Sequence, residues 1–171
     1  MNSLIDTNVL VAASAHRALE VRDVTPTDPH QREHIHDWLD GFSRSEECWV
    51  LDAQDHIEDE YLRNDFTGQD FGMLALLHKR TLDRVLLVDV AYEGFDRRNS
   101  VAILPPRVAH VPWDESDKKF VAAAISVIEM GEPAQIVNAA DSDWAAVREA
   151  LGVEGIKVLE LLEDFSRSEG V

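Results

Sequence analysis

The sequence predicts an α/β fold, a three-layer α/β/α sandwich with a mostly parallel sheet, in one domain spanning residues 1–171. Short apolar runs alternate along the chain with amphipathic segments of about 10–15 residues, the pattern of parallel strands joined by helices. The length is that of one domain. The 45% of hydrophobic residues is enough to build a core. No run approaches the roughly 20 apolar residues that cross a bilayer, so we expect no membrane span.

The apolar runs give the expected order of elements. We expect strands at residues 4–5, 49–51, 85–88, 135–137 and 156–159. We expect helices at 9–13, 30–44, 53–64, 71–84, 113–130 and 143–151, with a terminal helical turn at 162–166. The proline- and aspartate-rich residues 20–30 and the polar residues 92–100 are predicted loops, and 101–104 is predicted to be extended. Gly131 and Pro133 end the fifth helix.

Charge and cysteine content limit the possible functions. The formal net charge is −17, from 33 acidic residues against 16 Lys and Arg. This excludes a broad basic surface for nucleic acid, because phosphate contacts depend on Lys and Arg. A cation held by acids inverts the local field, so nucleic acid remains a possible substrate. Cys48 is the only cysteine and the first residues include no basic side chain, so we expect a cytoplasmic protein without a disulfide or a secretory signal.

Several carboxylates fall where α/β proteins place ligand sites. Asp6 directly follows the first predicted strand, and Asp141 follows the strand at 135–137 after a short connection. Ligands of open α/β sheets bind outside the carboxyl ends of the strands, which favours a functional role for both residues. The alternative is that each carboxylate caps the helix that follows it.

Two further acids belong to predicted helices. Asp117 extends the buried stripe that Phe120 and Val121 mark on the fifth helix, and a carboxylate on an inward face needs a partner or a metal. The alternative for Asp117 is a first-turn charge that complements the helix dipole, with Asp114 as the cap. On the third helix, helical geometry separates Glu58 from Glu60 only weakly.

Four acids at the ends of different elements form a site of hard oxygen ligands. Such sites suit Mg²⁺ or Mn²⁺, which keep several waters and bridge to phosphate. A metal-bound water is a nucleophile near neutral pH, and a second metal stabilises the leaving oxygen. The acids therefore predict metal-dependent phosphate chemistry.

Four segments carry a resemblance to a known family. Residues 4–10 read LIDTNVL, 57–62 read IEDEYL, 114–124 read DESDKKFVAAA and 136–144 read IVNAADSDW. In this order they resemble the four motifs of the PIN-domain nucleases, and residues 155–165 resemble the last strand and helix of that family. The resemblance covers essentially the whole chain.

The resemblance implies a role for each acid. Asp6 is the first metal ligand, and Glu60 rather than Glu58 is the second acid. Asp117 is the third, and Asp141 is the fourth with Asp143 beside it as a further metal ligand. Asn8 is expected to support Asp6. The hydroxyl residue that normally precedes the fourth acid is replaced by Asn138 or Ala139, which leaves the choice between Asp141 and Asp143 open.

The resemblance also implies an activity. We expect a Mg²⁺- or Mn²⁺-dependent ribonuclease that cleaves single-stranded RNA, with Asp6, Glu60, Asp117 and Asp141 as catalytic residues. Small members of the family are toxins of toxin–antitoxin pairs, so an antitoxin partner and a homodimer are further expectations. The chain exceeds those compact members mainly at residues 15–48 and 88–112.

The sequence is also compatible with two other functions. One is a PIN-like scaffold that binds a protein or RNA partner without cutting, which the negative charge and the altered fourth motif favour. The other is an unrelated Mg²⁺-dependent phosphohydrolase. An aspartyl nucleophile of that class would prefer a second aspartate two positions after Asp6, where Asn8 stands.

Other residues give weaker predictions. The basic pairs Arg97–Arg98 and Lys118–Lys119 are the candidates for contact with RNA phosphates. The histidines of the second helix are interpreted as a solvated face, because no cysteine or further ligand accompanies them. The apolar residues of the same helix are predicted to form a self-association surface; they are Ile35, Trp38, Leu39 and Phe42.

Overall fold

The structure, a computed structural model, describes residues 1–18, 23–65, 67–94, 99–111 and 113–162. The strands of the described residues are β1 (Asn2–Ile5), β2 (Cys48–Asp52), β3 (Val85–Val88), β4 (Tyr92–Glu93), β5 (Val101–Ala102), β6 (Ala134–Asn138) and β7 (Lys157–Glu160). The helices are α1 (Thr7–Arg17), α2 (Pro29–Arg44), α3 (His56–Arg63), α4 (Phe71–Thr81), α5 (Lys118–Glu129) and α6 (Asp143–Val153).

Five strands form one sheet in the order β3-β2-β1-β6-β7, and every neighbouring pair is parallel. In the central pair, Leu4 lies opposite Ile136 and Ile5 opposite Val137. These four side chains are wholly buried, as expected for strands that helices cover on both faces. The predicted three-layer α/β/α fold is confirmed.

The connections fix which face each helix covers. The chain moves from β1 to β2 to β3 in one direction across the sheet, and from β6 to β7 in the other. Parallel crossovers are right-handed, so the helices before β3 and those after it cover opposite faces. Within the first layer α1, α2 and α4 contact one another, while α5 contacts β1, β2, β3 and β6.

The strand order reverses at the centre of the sheet. The chain leaves β1 towards β2, and it later returns to add β6 on the other side of β1. Ligand crevices of open α/β sheets lie at such a reversal, outside the carboxyl ends of the two central strands. Ile5 is the last residue of β1 and Asn138 is the last residue of β6. The residues that follow them border this crevice.

Several predicted boundaries differ from the structure. The predicted loop at 92–100 includes β4, which pairs with β5 in a separate antiparallel hairpin. The fifth helix begins at Lys118 and not near Trp113, since residues 115–117 form a turn. The third helix begins at His56, because Asp55 takes a left-handed conformation with φ of 63°. Leu162 is not helical, and the rest of the predicted terminal turn lies outside the described residues.

The predicted self-association surface on α2 is wrong. Ile35 and Leu39 are 0% exposed and Phe42 is 5% exposed, so these side chains belong to the core. Only Trp38 of this set is partly exposed. The reason is the extra helix in this layer: α2 packs against both α1 and α4, which uses its apolar face inside the molecule.

A membrane span was not expected, and none of the helices in the described parts of the chain combines the length and apolar character that crossing a bilayer requires.

Candidate functional site

Asp6 lies directly after β1, at the crevice between β1 and β6. Its carboxylate is 6% exposed. Oδ1 accepts a hydrogen bond from the backbone N–H of Asn8 at 2.9 Å, which caps α1, and Oδ2 accepts one from the indole N–H of Trp144. Burial raises the pKa of Asp6 to about 6, with the charges of Asp141 and Glu60 acting in the same direction against the two hydrogen bonds. The residue therefore caps a helix and also faces other acids.

Asp117 occupies the N-cap position of α5, but its side chain makes no capping hydrogen bond. Burial raises the pKa of its carboxyl to about 7, and the charges of Asp6, Asp141 and Asp114 raise it further against the opposing charge of Lys119. The carboxylate of Asp117 therefore lies among other acids, as the prediction of a functional acid requires, and does not cap α5. Asp114 accepts hydrogen bonds from the N–H and hydroxyl of Ser116, which lower its own pKa.

Asp141 and Asp143 differ in their surroundings. Asp141 is half-buried, and its charge contributes to the raised pKa values of both Asp6 and Asp117. Asp143 is exposed at the start of α6, and its backbone N–H donates to Oδ1 of Asp141 at 2.9 Å. Of the two acids between which the sequence did not decide, Asp141 is the one whose charge raises the pKa values of Asp6 and Asp117.

Glu60 is held by two neighbours. Its Oε1 accepts a hydrogen bond from the hydroxyl of Thr7, and its Oε2 forms an ion pair with Lys119. The ammonium of Lys119 also donates to the backbone carbonyl of Ser116, and the residue is 8% exposed. Lys119 is therefore part of the acid site and not a free surface charge. Glu58 instead binds Arg80 through both carboxylate oxygens, which separates it from Glu60.

Asn8 and Asn138 join the ends of the two central strands. The side-chain amide of Asn8 donates to Oδ1 of Asn138 at 2.9 Å, and its Oδ1 accepts from the N–H of Ala139 at 2.9 Å. Asn138 in turn accepts from the N–H of Asp141 at 3.1 Å and donates to its carbonyl at 2.7 Å. Asn8 supports Asp6 through its backbone only, and its side chain positions the segment that carries Asp141.

Three contributors to the site were missed at the sequence level. Thr7 and Trp144 hold Glu60 and Asp6, and Asn138 organises the turn before Asp141. The sequence did contain a signal for Asn138, because this residue directly follows the predicted strand at 135–137, just as Asp6 directly follows the predicted strand at 4–5. No local signal existed for Trp144, which lies 138 positions from the carboxylate that it contacts.

The acids fit a cation in charge but do not form a preformed cage. Asp6 and Asp117 have raised pKa values because they are buried near other negative charges, and a cation would relieve that repulsion. Within the described residues, however, no three His, Cys, Asp or Glu side chains stand close enough together to hold a metal ion. Binding of Mg²⁺ or Mn²⁺ would therefore require the carboxylates to move towards one another.

The predicted phosphate contacts have different outcomes. Lys119 is buried beside Glu60, and Lys118 is half-buried at the start of α5. Arg97 and Arg98 lie outside the described residues.

Comparison of this chain with protein-family models, with curated proteins and with solved structures found no match. The resemblance to PIN-domain nucleases therefore stays a prediction that rests on the four sequence motifs.

Proposed function

We propose that this protein is a Mg²⁺- or Mn²⁺-dependent endoribonuclease of the PIN type that cleaves single-stranded RNA. The observation that carries the proposal is a group of buried carboxylates at the reversal point of the sheet. Burial raises the pKa of Asp6 to about 6 and that of Asp117 to about 7, and the charge of Asp141 raises both further. Such perturbed acids at the carboxyl ends of parallel strands are typical of functional sites.

The residues have separate roles in this proposal. Asp6, Asp117 and Asp141 hold the cation, and Asp143 supports Asp141 from the exposed side. When bound, the cation activates a water and offsets charge on the phosphate. Trp144 and the backbone of Asn8 orient the Asp6 carboxylate. Thr7 and Lys119 fix Glu60, whose remaining lone pairs orient the attacking water.

The setting of the reaction is also part of the proposal. The single cysteine favours a reducing compartment, so we place the protein in the cytoplasm. An antitoxin and a second copy of the chain are the partners that the family resemblance implies. The self-association surface would lie elsewhere than on the buried residues of α2.

The experiment that tests the activity compares three proteins with single-stranded RNAs of varied sequence and Mn²⁺. We expect the wild type to cut, EDTA to abolish the cutting, and Asp6→Asn to lose it. Asp83→Asn is the matched control, because Asp83 is exposed and precedes β3 at the opposite end of the strands. Equal cleavage by Asp6→Asn would mean that the site lies elsewhere or that the activity is a contaminant.

A second candidate function is a scaffold that binds a protein or RNA partner without cutting. The specific observation in its favour is that no three metal-binding side chains in the described residues stand close enough together for a metal ion. If the wild type leaves all RNAs intact in Mn²⁺, and Mn²⁺ gives no heat stabilisation, the scaffold is the better interpretation.

A further inference from the structure

A cavity lies beside the acid site. It has a volume of about 390 Å³, within the range of about 300–1,000 Å³ that small-molecule sites occupy. One side is formed by α3 and another by the hairpin of β4 and β5. Glu60 and Lys119 line this cavity and are also neighbours of Asp6 and Asp117. A ligand in the cavity would therefore extend directly to the acids.

The cavity has a preformed aromatic wall. The imidazole of His56 stacks on the ring of Tyr92, with centroids 3.7 Å apart and planes 25° from parallel. The backbone N–H of His56 donates to the buried carboxylate of Asp52 at 3.0 Å, and Tyr92 is paired with Ala102 across the hairpin. Both rings are only partly buried. A flat ligand can stack on this pair without the loss of side-chain freedom that an unfixed ring would suffer.

The rest of the lining is polar and of mixed charge. Arg63 supplies an exposed cation, Lys119 is already paired with Glu60, and the carboxylates are Asp59, Glu60 and Glu115. Carboxylates repel a free polyanion but accept hydrogen bonds from ribose hydroxyls and from the N–H groups of a base. Cations bind the oxygens of a single phosphodiester. An aromatic wall, acceptors for a base or a ribose, and the exposed cation of Arg63 together match one nucleotide of a strand.

We propose that this cavity binds one nucleotide of a single-stranded RNA, with the base stacked on the His56–Tyr92 pair and the adjoining phosphodiester bound by Arg63. The assignment of the strand as a substrate rests on the proposed function. Binding itself does not, because no metal and no cleavage are needed for a base to stack. The cavity thus selects single strands, since a base in a duplex is not free to enter it.

The test measures binding in EDTA, where no metal-dependent cutting occurs. A short fluorescein-labelled single-stranded RNA is titrated with the wild type and with variants, and fluorescence anisotropy reports binding. We expect His56→Ala and Tyr92→Leu to weaken binding at least about 10-fold, the scale of one lost base–aromatic stack. Tyr92→Phe keeps the ring and should lose less than Tyr92→Leu. Arg63→Gln should weaken binding and reduce its dependence on salt.

The control is His34→Ala, which removes an exposed histidine from α2, outside the cavity, and should bind as the wild type does. Circular dichroism and melting curves check that each variant is folded. The proposal is overturned by a wild type that binds no RNA, or by folded His56→Ala and Tyr92→Leu variants that bind RNA normally. If binding depends on Tyr92 but the wild type does not cut RNA with Mn²⁺, the nucleotide site in the cavity stands and the proposed nuclease activity is rejected. If the wild type cuts RNA but neither variant weakens binding, the nuclease activity stands and the nucleotide site is rejected.

Discussion

Asp6 and Asp52 are both buried aspartates at the carboxyl ends of neighbouring parallel strands, yet their surroundings differ. Asp52 is 0% exposed, and its two oxygens accept hydrogen bonds from the backbone N–H groups of His56 at 3.0 Å and Ile57 at 2.8 Å. Those groups are the amino end of α3, which favours a negative charge. Asp6 accepts one backbone hydrogen bond and one from an indole, and it faces other carboxylates.

This difference shows that position at a strand end does not by itself decide how the charge of a buried aspartate is compensated. The charge of Asp52 is compensated by the helix that it caps, so the residue stabilises the fold. Burial raises the pKa of Asp6, and the charges of Asp141 and Glu60 raise it further, so its negative charge is less well compensated in the folded chain. Repulsion of this kind is tolerated where a ligand relieves it.

The largest expected effect is on cleavage by Asp6→Asn. The amide keeps the shape but removes a charge that the cation needs, so we expect a loss of at least about 100-fold in the rate with Mn²⁺. Asp52→Asn should instead lower the free energy of unfolding by about 1–3 kcal/mol, because an amide has one acceptor oxygen for two buried donors. Cleavage rates and urea denaturation of both variants provide the measurement. If Asp52→Asn lost cleavage but kept its free energy of unfolding, the assignment of Asp52 to the stability of the fold would be wrong.

The next effect separates Asp141 from Asp143. Asp141→Asn should reduce the rate by roughly 10–100-fold, because it removes a charge that acts on both Asp6 and Asp117. Asp143→Asn should reduce it by less than about 3-fold, since exposed charges interact weakly. The cleavage assay with Mn²⁺, run on both variants in parallel, gives the ratio of their rates. A larger loss in Asp143→Asn than in Asp141→Asn would assign the fourth ligand to Asp143.

A smaller effect is expected for Trp144→Phe. This change keeps an aromatic ring in the core but removes the N–H that donates to Asp6, and we expect a rate lower by roughly 5-fold, the worth of one hydrogen bond of about 1 kcal/mol. Trp113→Phe is the control, since its indole donates to the carbonyl of Val108 and not to an acid. Equal losses in the two variants would point to core packing as the cause.

The smallest effect is the pH dependence of stability. The pKa values of Asp6 and Asp117 rise on folding from 3.8 to about 6 and about 7, so the folded state holds protons that the unfolded chain releases. Their contribution to the free energy of unfolding is therefore most favourable below pH 3.8 and is lost as pH rises through about 6 and 7. Denaturation curves of the wild type and of the double variant Asp6→Asn/Asp117→Asn give the free energy of unfolding at each pH. Between pH 3.8 and about 7 this free energy should decline less steeply in the variant.

Mn²⁺ provides the complementary measurement on the same two proteins. Because a metal binds the deprotonated carboxylates, its effect on the melting temperature should grow as pH rises above these pKa values. A shift that is absent in the wild type, or that survives in the double variant, would contradict the proposed site.

The sequence was sufficient to predict the sheet and to propose part of the candidate site. The strands of the main sheet are short apolar runs, largely buried in β1, β2 and β6, and Asp6 and Asp141 were proposed because they follow two of those runs. The hairpin of β4 and β5 was missed, since two strands of two residues each give no hydrophobic period. The burial of Ile35 and Leu39 was missed because sequence does not show that α4 packs over α2.

The contacts that distinguish the two strand-end aspartates were also beyond the sequence. Trp144 reaches Asp6 across 138 positions, and Asn8 reaches Asn138 across 130. Such pairs depend on the strand order, which places β6 beside β1. Asp52 shows the opposite case: its partners lie four and five positions ahead, so a local rule for helix starts would have identified it.

The pairing of β1 with β6 has a consequence for how the protein is made. A ribosome produces Asp6 first, and the chain must grow past Asn138 before the neighbouring strand can dock and bring Asp141 into place. Domains fold as units when their elements have emerged, and contacts between distant parts of a chain form late. For the proposed nuclease, this order of synthesis would delay assembly of the acid site until the strand before Asp141 has left the translating ribosome.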